Sequence, residues 1–256
     1  MGYWTNKVVM ITGASSGIGR GLALEIASRG GHLGLLARRE ELLRELVEEA
    51  RARNVKAVSA TADVRDAKAI REATDRFRAE LGPIDVLIAN AGIGTADHVV
   101  QLQPEHFAEV IGINLQGAVN SVAAVAPEMV ARGQGRLVAI SSLAAYRGLP
   151  KSAAYCASKA ALSSYFESVR LDLRDTGVGV TIIYPGFIKT QLTAGREAKM
   201  PYLMELDHAV KKIVSAIEKK KKSYAFPWQL ATIVRAGMIM PTAMYDWIAA
   251  RNSFRE

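Results

Sequence analysis

The chain has 256 residues, 50% hydrophobic and 23% charged, with one cysteine and a formal net charge of +8. An apolar share of that size without a low-complexity tract excludes a disordered or fibrous chain, and the lone Cys156 excludes an internal disulfide framework. The basic excess suits an anionic cofactor, a nucleic acid or an anionic membrane surface, and does not choose among them.

From the N-terminus, short apolar runs alternate with amphipathic stretches. Residues 8–12 predict a strand, 19–29 a helix, 32–36 a strand and 39–53 a helix. Strand 57–60, helix 67–80, strand 86–89, one long helix over 104–131 and strand 136–141 follow. A helix around 152–174 and strands at 179–184 and 223–226 bring the sheet to about seven strands. Strands and helices alternating at these lengths predict an α/β fold, a doubly wound parallel sheet with helices on both faces. No repeat and no Ser/Gly/Pro-rich linker divides the chain, so residues 1–256 are expected to form one domain. The irregular stretch 190–205, with Gly195 and Pro201, is the predicted mobile segment, and 190–208 the substrate-side loop. Met1-Gly2 opens like a myristoylation signal, but Asn6 stands where that signal needs Ser or Thr, and no basic-then-apolar leader precedes Val8. With one cysteine, this predicts a cytoplasmic location.

The first predicted strand runs into Thr12-Gly13-Ala14-Ser15-Ser16-Gly17-Ile18-Gly19, and helical character follows. Strand, glycine turn and helix stand in the order a dinucleotide site requires. Glycines let the backbone approach a pyrophosphate, and helix N-terminal amides face its charge. The spacing is Gly-x-x-x-Gly-x-Gly, and a tight turn that merely packs a helix on a strand is the alternative for such a set standing alone.

Together with Asp63-Val64, Asn90-Ala91-Gly92, Asn114, Ser142, Tyr155, Lys159 and Pro185-Gly186, this turn closely resembles the short-chain dehydrogenase/reductase family, in order and in spacing, over roughly residues 5–190. The resemblance implies a Rossmann-like fold. It places Ser15, Ser16 and Ile18 in the nucleotide turn, Asp63 and Val64 beside the adenine, and Asn90, Ala91 and Gly92 against the cofactor. It also places the Ile188 backbone and the Thr190 side chain near the nicotinamide carboxamide. A homodimer or homotetramer is expected by the same resemblance.

The second strand ends in Leu36-Ala37-Arg38-Arg39, where an NAD enzyme would carry a ribose-binding carboxylate. Ala37 supplies none, and Arg38, with Arg39 beside it, offers a guanidinium to a 2′-phosphate, so NADP(H) is the expected cofactor. NADP(H)-preferring family members often carry a second basic residue just before the middle glycine; here that position is Ser16. Solvated charges at a helix start are the alternative for the two arginines.

Tyr155 and Lys159 are four apart in a segment of strong helical character, so both project from one face. A free tyrosine has a pKa of about 10, which a nearby cation lowers by about 1 to 3 units. Lys159 is that cation. By resemblance, Tyr155 protonates a carbonyl oxygen as hydride arrives and takes the proton back in oxidation, Ser142 hydrogen-bonds the substrate oxygen, and Asn114 holds a water that links Lys159 to a proton relay. Ser141 is the weaker serine. Each residue also has an ordinary structural reading, as a cap or a backbone partner.

Near the C-terminus, Lys211-Lys212 and Lys219 to Lys222 form the sharpest basic cluster, and Phe226-Pro227-Trp228-Gln229-Leu230 leads into the apolar run 231–240. One reading puts this stretch at a membrane interface, with bulky lipidic substrates. The preferred reading is a solvated helix end, an edge strand and a buried helix packed on the substrate pocket or a partner subunit, because apolar helices are usually buried. The run is too short to span a bilayer. Nucleic acid is not expected, since the basic residues are dispersed. The expected activity is interconversion of a carbonyl and a secondary alcohol; an epimerase or dehydratase on the same fold and a catalytically inactive NADP(H) sensor are the rivals.

Overall fold

A computed structural model describes residues 2–94, 98–195 and 200–251. Residues 196–199 of the expected mobile segment lie outside the described residues, as do residues 1 and 252–256 of the expected domain.

The seven expected strands form one wholly parallel sheet. They are β1 (Val8–Thr12), β2 (His32–Ala37), β3 (Ala57–Thr61), β4 (Val86–Ala89), β5 (Gly135–Ile140), β6 (Val178–Pro185) and β7 (Ser223–Phe226), in the spatial order β3-β2-β1-β4-β5-β6-β7. The run Val8-Val9-Met10-Ile11 is buried at every position because both sheet faces are covered, which is why it is continuous rather than alternating.

Helices α1 (Gly17–Ser28), α2 (Glu40–Arg51), α3 (Ala67–Leu81), α4 (Pro104–Ile111), α5 (Gly117–Ala131), α6 (Ala153–Asp172) and α7 (Leu206–Glu218) supply the covering layers, and α8 (Trp228–Ile239) and α9 (Thr242–Arg251) close the chain. Their stripes show why they pack. In α2, Leu43, Leu46, Val47 and Ala50 recur at helical spacing and are buried. In α3, Ile70, Ala73, Thr74 and Phe77 do the same, and the Asp66 carboxylate caps the helix by accepting from the amides of Lys68 and Ala69. One core unites α1, α2 and α7 with the sheet, and the other unites α3, α5, α6 and α8 with its opposite face. Trp4 is buried in the first core and donates its indole N–H to Glu218 at 2.7 Å, so the N-terminal segment is tied to the end of α7.

Three sequence readings change. The expected single helix over 104–131 is two helices joined by a π turn, Gly112–Gln116. This whole stretch is long and apolar enough to cross a membrane by composition, but more than half of its apolar window is buried inside the fold. The helix end expected at Lys219 to Lys222 is the end of α7, capped at Lys219, whereas α9 is an element that the sequence reading does not contain. The apolar run 231–240 was expected to be buried, whereas α8 buries only Leu230, Ala231 and Gly237, because the helix lies on the rim of a cleft instead of inside a layer.

Candidate active site

Strand order reverses between β1 and β4, both leaving the sheet at their C-terminal ends, and a crevice opens there. The exits are tied together. Thr12 Oγ1 accepts from the amides of Asn90 and Ala91 at 3.1 and 3.2 Å, and the Asn90 side-chain amide donates to the Thr12 and Gly13 carbonyls. Gly13 has φ +66°, and a Cβ there would stand 2.7 Å from the Ala91 Cα. At Gly19 a Cβ would meet the Gly13 carbonyl oxygen at 2.3 Å. Gly19 therefore permits helix–turn packing and does not itself line the crevice. Gly19→Ala is expected to cost about 1–3 kcal/mol by overpacking, read by denaturant unfolding beside Gly148→Ala, whose Cβ meets nothing within 4 Å. Equal stability of the two variants would remove this role.

Helix α1 starts from Ser16 with no side-chain cap on its first amides and no carboxylate in its first turn. Uncapped amides at a helix N-terminus, under a glycine turn that admits close approach, suit a pyrophosphate. One turn-width away, Arg39 donates to Ser15 Oγ at 2.9 Å and to Ser16 Oγ at 2.5 Å. The basic charge absent from position 16 is thus delivered there from the β2–α2 connection. Arg38 is exposed, its nearest carboxylate, Asp63, 4.0 Å away. Asp63 is engaged by Arg65 at 2.7 Å, and that hydrogen bond holds its carboxyl below the usual range.

The other end of the crevice is built by the end of β5 and the first turns of α6. Tyr155 is half-buried and Lys159, one turn on, is 4% exposed. The Lys159 ammonium donates to the Ile140 carbonyl at 2.9 Å and lies 5.8 Å from the Tyr155 ring centre. It has no carboxylate partner among the described residues, and burial lowers its pKa to about 8. Ser142 Oγ accepts from the Ala144 amide at 3.1 Å, which leaves its own proton to be donated. Ser141 turns the other way: its buried hydroxyl meets Ser163 Oγ at 2.8 Å and the Lys159 carbonyl at 3.1 Å.

Asn114 sits in the π turn, fully buried. Its Oδ1 accepts from the Ile93 amide at 2.8 Å, and its Nδ2 donates to the Ile93 carbonyl and to Ser158 Oγ, each at 2.9 Å. Ser158 Oγ donates in turn to the Tyr155 carbonyl at 2.8 Å. The side-chain amide is therefore spent on protein, as a strut between the loop after β4 and the first turns of α6. Asn114 does not line the cleft. Gly92 marks how close the parts come: a Cβ there would stand 3.2 Å from Lys159 Nζ and 3.3 Å from Asn114 Oδ1.

The crevice has a volume of about 940 Å³. The structure brings to it Gly13, Ser15, Ser16, Gly17, Ile18, Arg38, Arg39, Asp63, Val64, Asn90, Ala91, Gly92, Ser142, Tyr155, Lys159, Pro185, Gly186, Ile188 and Thr190, with Gly92 beside Lys159 and Gly17 beside Thr190. Thr190 is fixed by Thr193, whose Oγ1 accepts from the Thr190 amide at 2.9 Å and donates to the Ile188 carbonyl at 2.7 Å. The wall beyond Tyr155 is made by Arg147, Leu149, Met200, Tyr202, Ile233 and Tyr245 among others; Met200 and Tyr202 fall in the expected substrate-side loop and Ile233 in the helix expected to pack on the pocket, whereas sequence reasoning missed Arg147 and Leu149. Arg147 stacks on the Tyr245 ring at 3.8 Å and donates to the carbonyls of Gly237 and Met240, closing the C-terminal end of α8. No local motif announces such a cap.

A family model described as short chain dehydrogenase matches residues 7–201. An uncharacterized oxidoreductase of Myxococcus xanthus is 43% identical over 98% of this chain and 99% of that protein. A protein of Mycobacterium tuberculosis named probable oxidoreductase EphD is 33% identical over 95% of this chain, which spans 45% of its length. Among solved structures, NAD+-bound xylitol dehydrogenase is similar with a TM-score of 0.80 and 26% identity, over 87% of this chain and 98% of that one. An alcohol dehydrogenase of the archaeon Thermococcus sibiricus, complexed with 5-hydroxy-NADP, has a TM-score of 0.79 and 26% identity over 86% of this chain and 95% of that one.

Proposed function

The chain belongs to the short-chain dehydrogenase family, oxidoreductases acting on CH–OH and C=O groups, and from that premise we propose that it interconverts a carbonyl and a secondary alcohol with NADP(H), using Tyr155 as general acid and base. The observation that carries the proposal is a buried ammonium, Lys159, unpaired by any carboxylate among the described residues and facing the Tyr155 ring in a cleft whose other end is a glycine cradle.

The fit to a nicotinamide nucleotide rests on the backbone. Gly13 and Gly19 leave no room for a Cβ, and the first amides of α1 are uncapped. These would hold the pyrophosphate, Asp63 and Val64 would flank the adenine, and Ile188 and Thr190 would meet the carboxamide. When bound, the nucleotide donates or accepts a hydride at the substrate carbon.

The chain's own residues handle the oxygen and the proton. Ser142, its Oγ already accepting from Ala144, donates its hydroxyl proton in a hydrogen bond to the substrate oxygen. The Tyr155 hydroxyl gives its proton to the same oxygen during reduction, leaving a phenolate that the Lys159 ammonium, 5.8 Å from the ring centre, stabilises. In oxidation the phenolate takes the proton back. The Ile140 carbonyl fixes Lys159, and Asn114 acts through Ser158 as a positioning residue for the turn that carries Tyr155.

The preference for NADP(H) is supported by two guanidiniums at the ribose end and by Ala37 where a carboxylate would repel phosphate. Arg38 has only a distant ion pair to give up, since Asp63 is claimed by Arg65. A charge-assisted phosphate contact is worth about 1.5–3 kcal/mol, so Arg38→Asp is expected to raise the KM for NADPH roughly ten- to hundred-fold while that for NADH changes little. Steady-state kinetics with both nucleotides checks this, and equal losses would remove the assignment.

A further inference from the structure

Helix α9 buries none of its side chains, although it carries Met244, Trp247 and Ile248. With α8 it sends apolar side chains in two directions. Ile233, Val234, Met240, Tyr245 and Ile248 line the cleft. Trp228 (72% exposed), Met238, Ile239 (89%), Met244 and Trp247 (61%) stay outside it and face solvent. Apolar groups exposed on two consecutive helices at the rim of an apolar cleft suit contact with another apolar phase.

The chemistry of the patch selects which phase. Two of the chain's three tryptophans are on it, and indoles favour the headgroup level of a bilayer. Guanidiniums accompany the aromatic rings: Arg251 lies 3.8 Å from the outward Trp247 ring centre and the exposed Arg235 5.7 Å from Tyr146, while Arg147 lies 3.8 Å from Tyr245 on the cleft side. None of the three has a carboxylate within 4 Å among the described residues, and Asp246 is the lone acid between positions 227 and 251. Apolar groups rimmed by unneutralised cations match an anionic lipid surface. At 12 and 10 residues the helices are about 18 and 15 Å long, against a hydrocarbon core of about 30 Å, so neither can cross a bilayer.

We propose that α8 and α9 rest on an anionic lipid surface and admit a bilayer-dissolved, apolar carbonyl or alcohol to the cleft. The lipid contact stands on the patch alone; the substrate class rests on the oxidoreductase reading above.

Flotation of the full chain with phosphatidylcholine vesicles, with and without phosphatidylglycerol, tests the contact. The parent is expected to float with the anionic vesicles and to be released by salt. The double variant Ile239→Ser/Trp247→Ser is expected to lower the bound fraction roughly ten-fold or more, with an unchanged circular dichroism spectrum. Absence of flotation by the parent, or equal flotation by the variant, overturns the proposal. So does a drop in oligomeric state of the variant in sedimentation when neither protein floats, which would make the patch a self-interface. In the activity arm, parent and variant are expected to reduce a water-soluble ketone at equal rates, while the variant loses turnover of a long-chain ketone supplied in vesicles; equal vesicle rates overturn the substrate class. Flotation by the parent without turnover of any ketone supports the lipid contact and removes the oxidoreductase reading.

Discussion

Tyr155→Phe is expected to lower turnover on the order of 10²- to 10⁴-fold, the range that a positioned general acid contributes, with nucleotide affinity and melting behaviour retained. The substitution removes one oxygen. The phenyl ring still fills the half-buried space between the cleft and α6, and the backbone carbonyl of position 155 still accepts from Ser158. The glycine cradle and the uncapped amides of α1 are unchanged by the substitution, so nucleotide titration is expected to be unaltered. The measurement is nucleotide oxidation or reduction over a panel of small, aromatic and long-chain ketones, parent and variant side by side. Turnover equal to the parent's would move the acid role to another group.

Lys159→Met is expected to abolish most turnover and, unusually for a core substitution, to improve stability relative to the parent in a pH-dependent way. Burial lowers the Lys159 pKa to about 8 from 10.5. Between about pH 8 and 10.5 the unfolded chain therefore holds more of this proton than the folded one, so the contribution of Lys159 to stability rises with pH across that window. Below it, the buried ammonium costs the cofactor-free fold about 3 kcal/mol. Methionine is similar in length, carries no charge, and gives up only the hydrogen bond to Ile140, whose unpaired carbonyl takes back about 1–3 kcal/mol. Other titrating groups are common to both chains and cancel. The advantage of the variant over the parent is therefore expected to shrink by about 3 kcal/mol from pH 8 to 10.5, read by denaturant unfolding. A difference independent of pH would mean that the ammonium is not desolvated.

The two effects belong together. A cation that served stability alone would be placed near a carboxylate; Lys159 is held by a carbonyl and aimed at a phenol. Its cost to the fold is understandable where the charge is needed for chemistry.

What could be read from the chain in advance follows from which features are local. The seven strands were visible because buried parallel strands are unbroken apolar runs, as in β1, and α2 because its stripe is regular. The glycine turn and the Tyr155–Lys159 pair were visible because each is a short spacing with one geometric consequence. The π turn at Asn114 was not, since extra winding by one residue is imposed by packing and leaves composition unchanged. Nor was α9, which has no buried stripe for a period to reveal. The run at 231–240 reads as a buried helix packed on the substrate pocket or a partner subunit because hydrophobicity has no direction in a sequence; only the fold shows that α8 faces a cleft on one side and solvent on the other. Arg39 was named for the cofactor, but its reach to Ser15 and Ser16 joins two connections that are neighbours only once β1 and β2 pair.

The placement of the three indoles gives the chain an optical partition of its own. Trp4 is sealed in the core against Glu218, while Trp228 and Trp247 stand on the outer faces of α8 and α9. A quencher dissolved in water reaches two emitters and leaves the third shielded. The light that survives quenching reports whether the sheet and its first helical layer are intact, and the light that is lost reports the surroundings of the cleft's rim, so folding and surface events can be followed separately in one unlabelled sample.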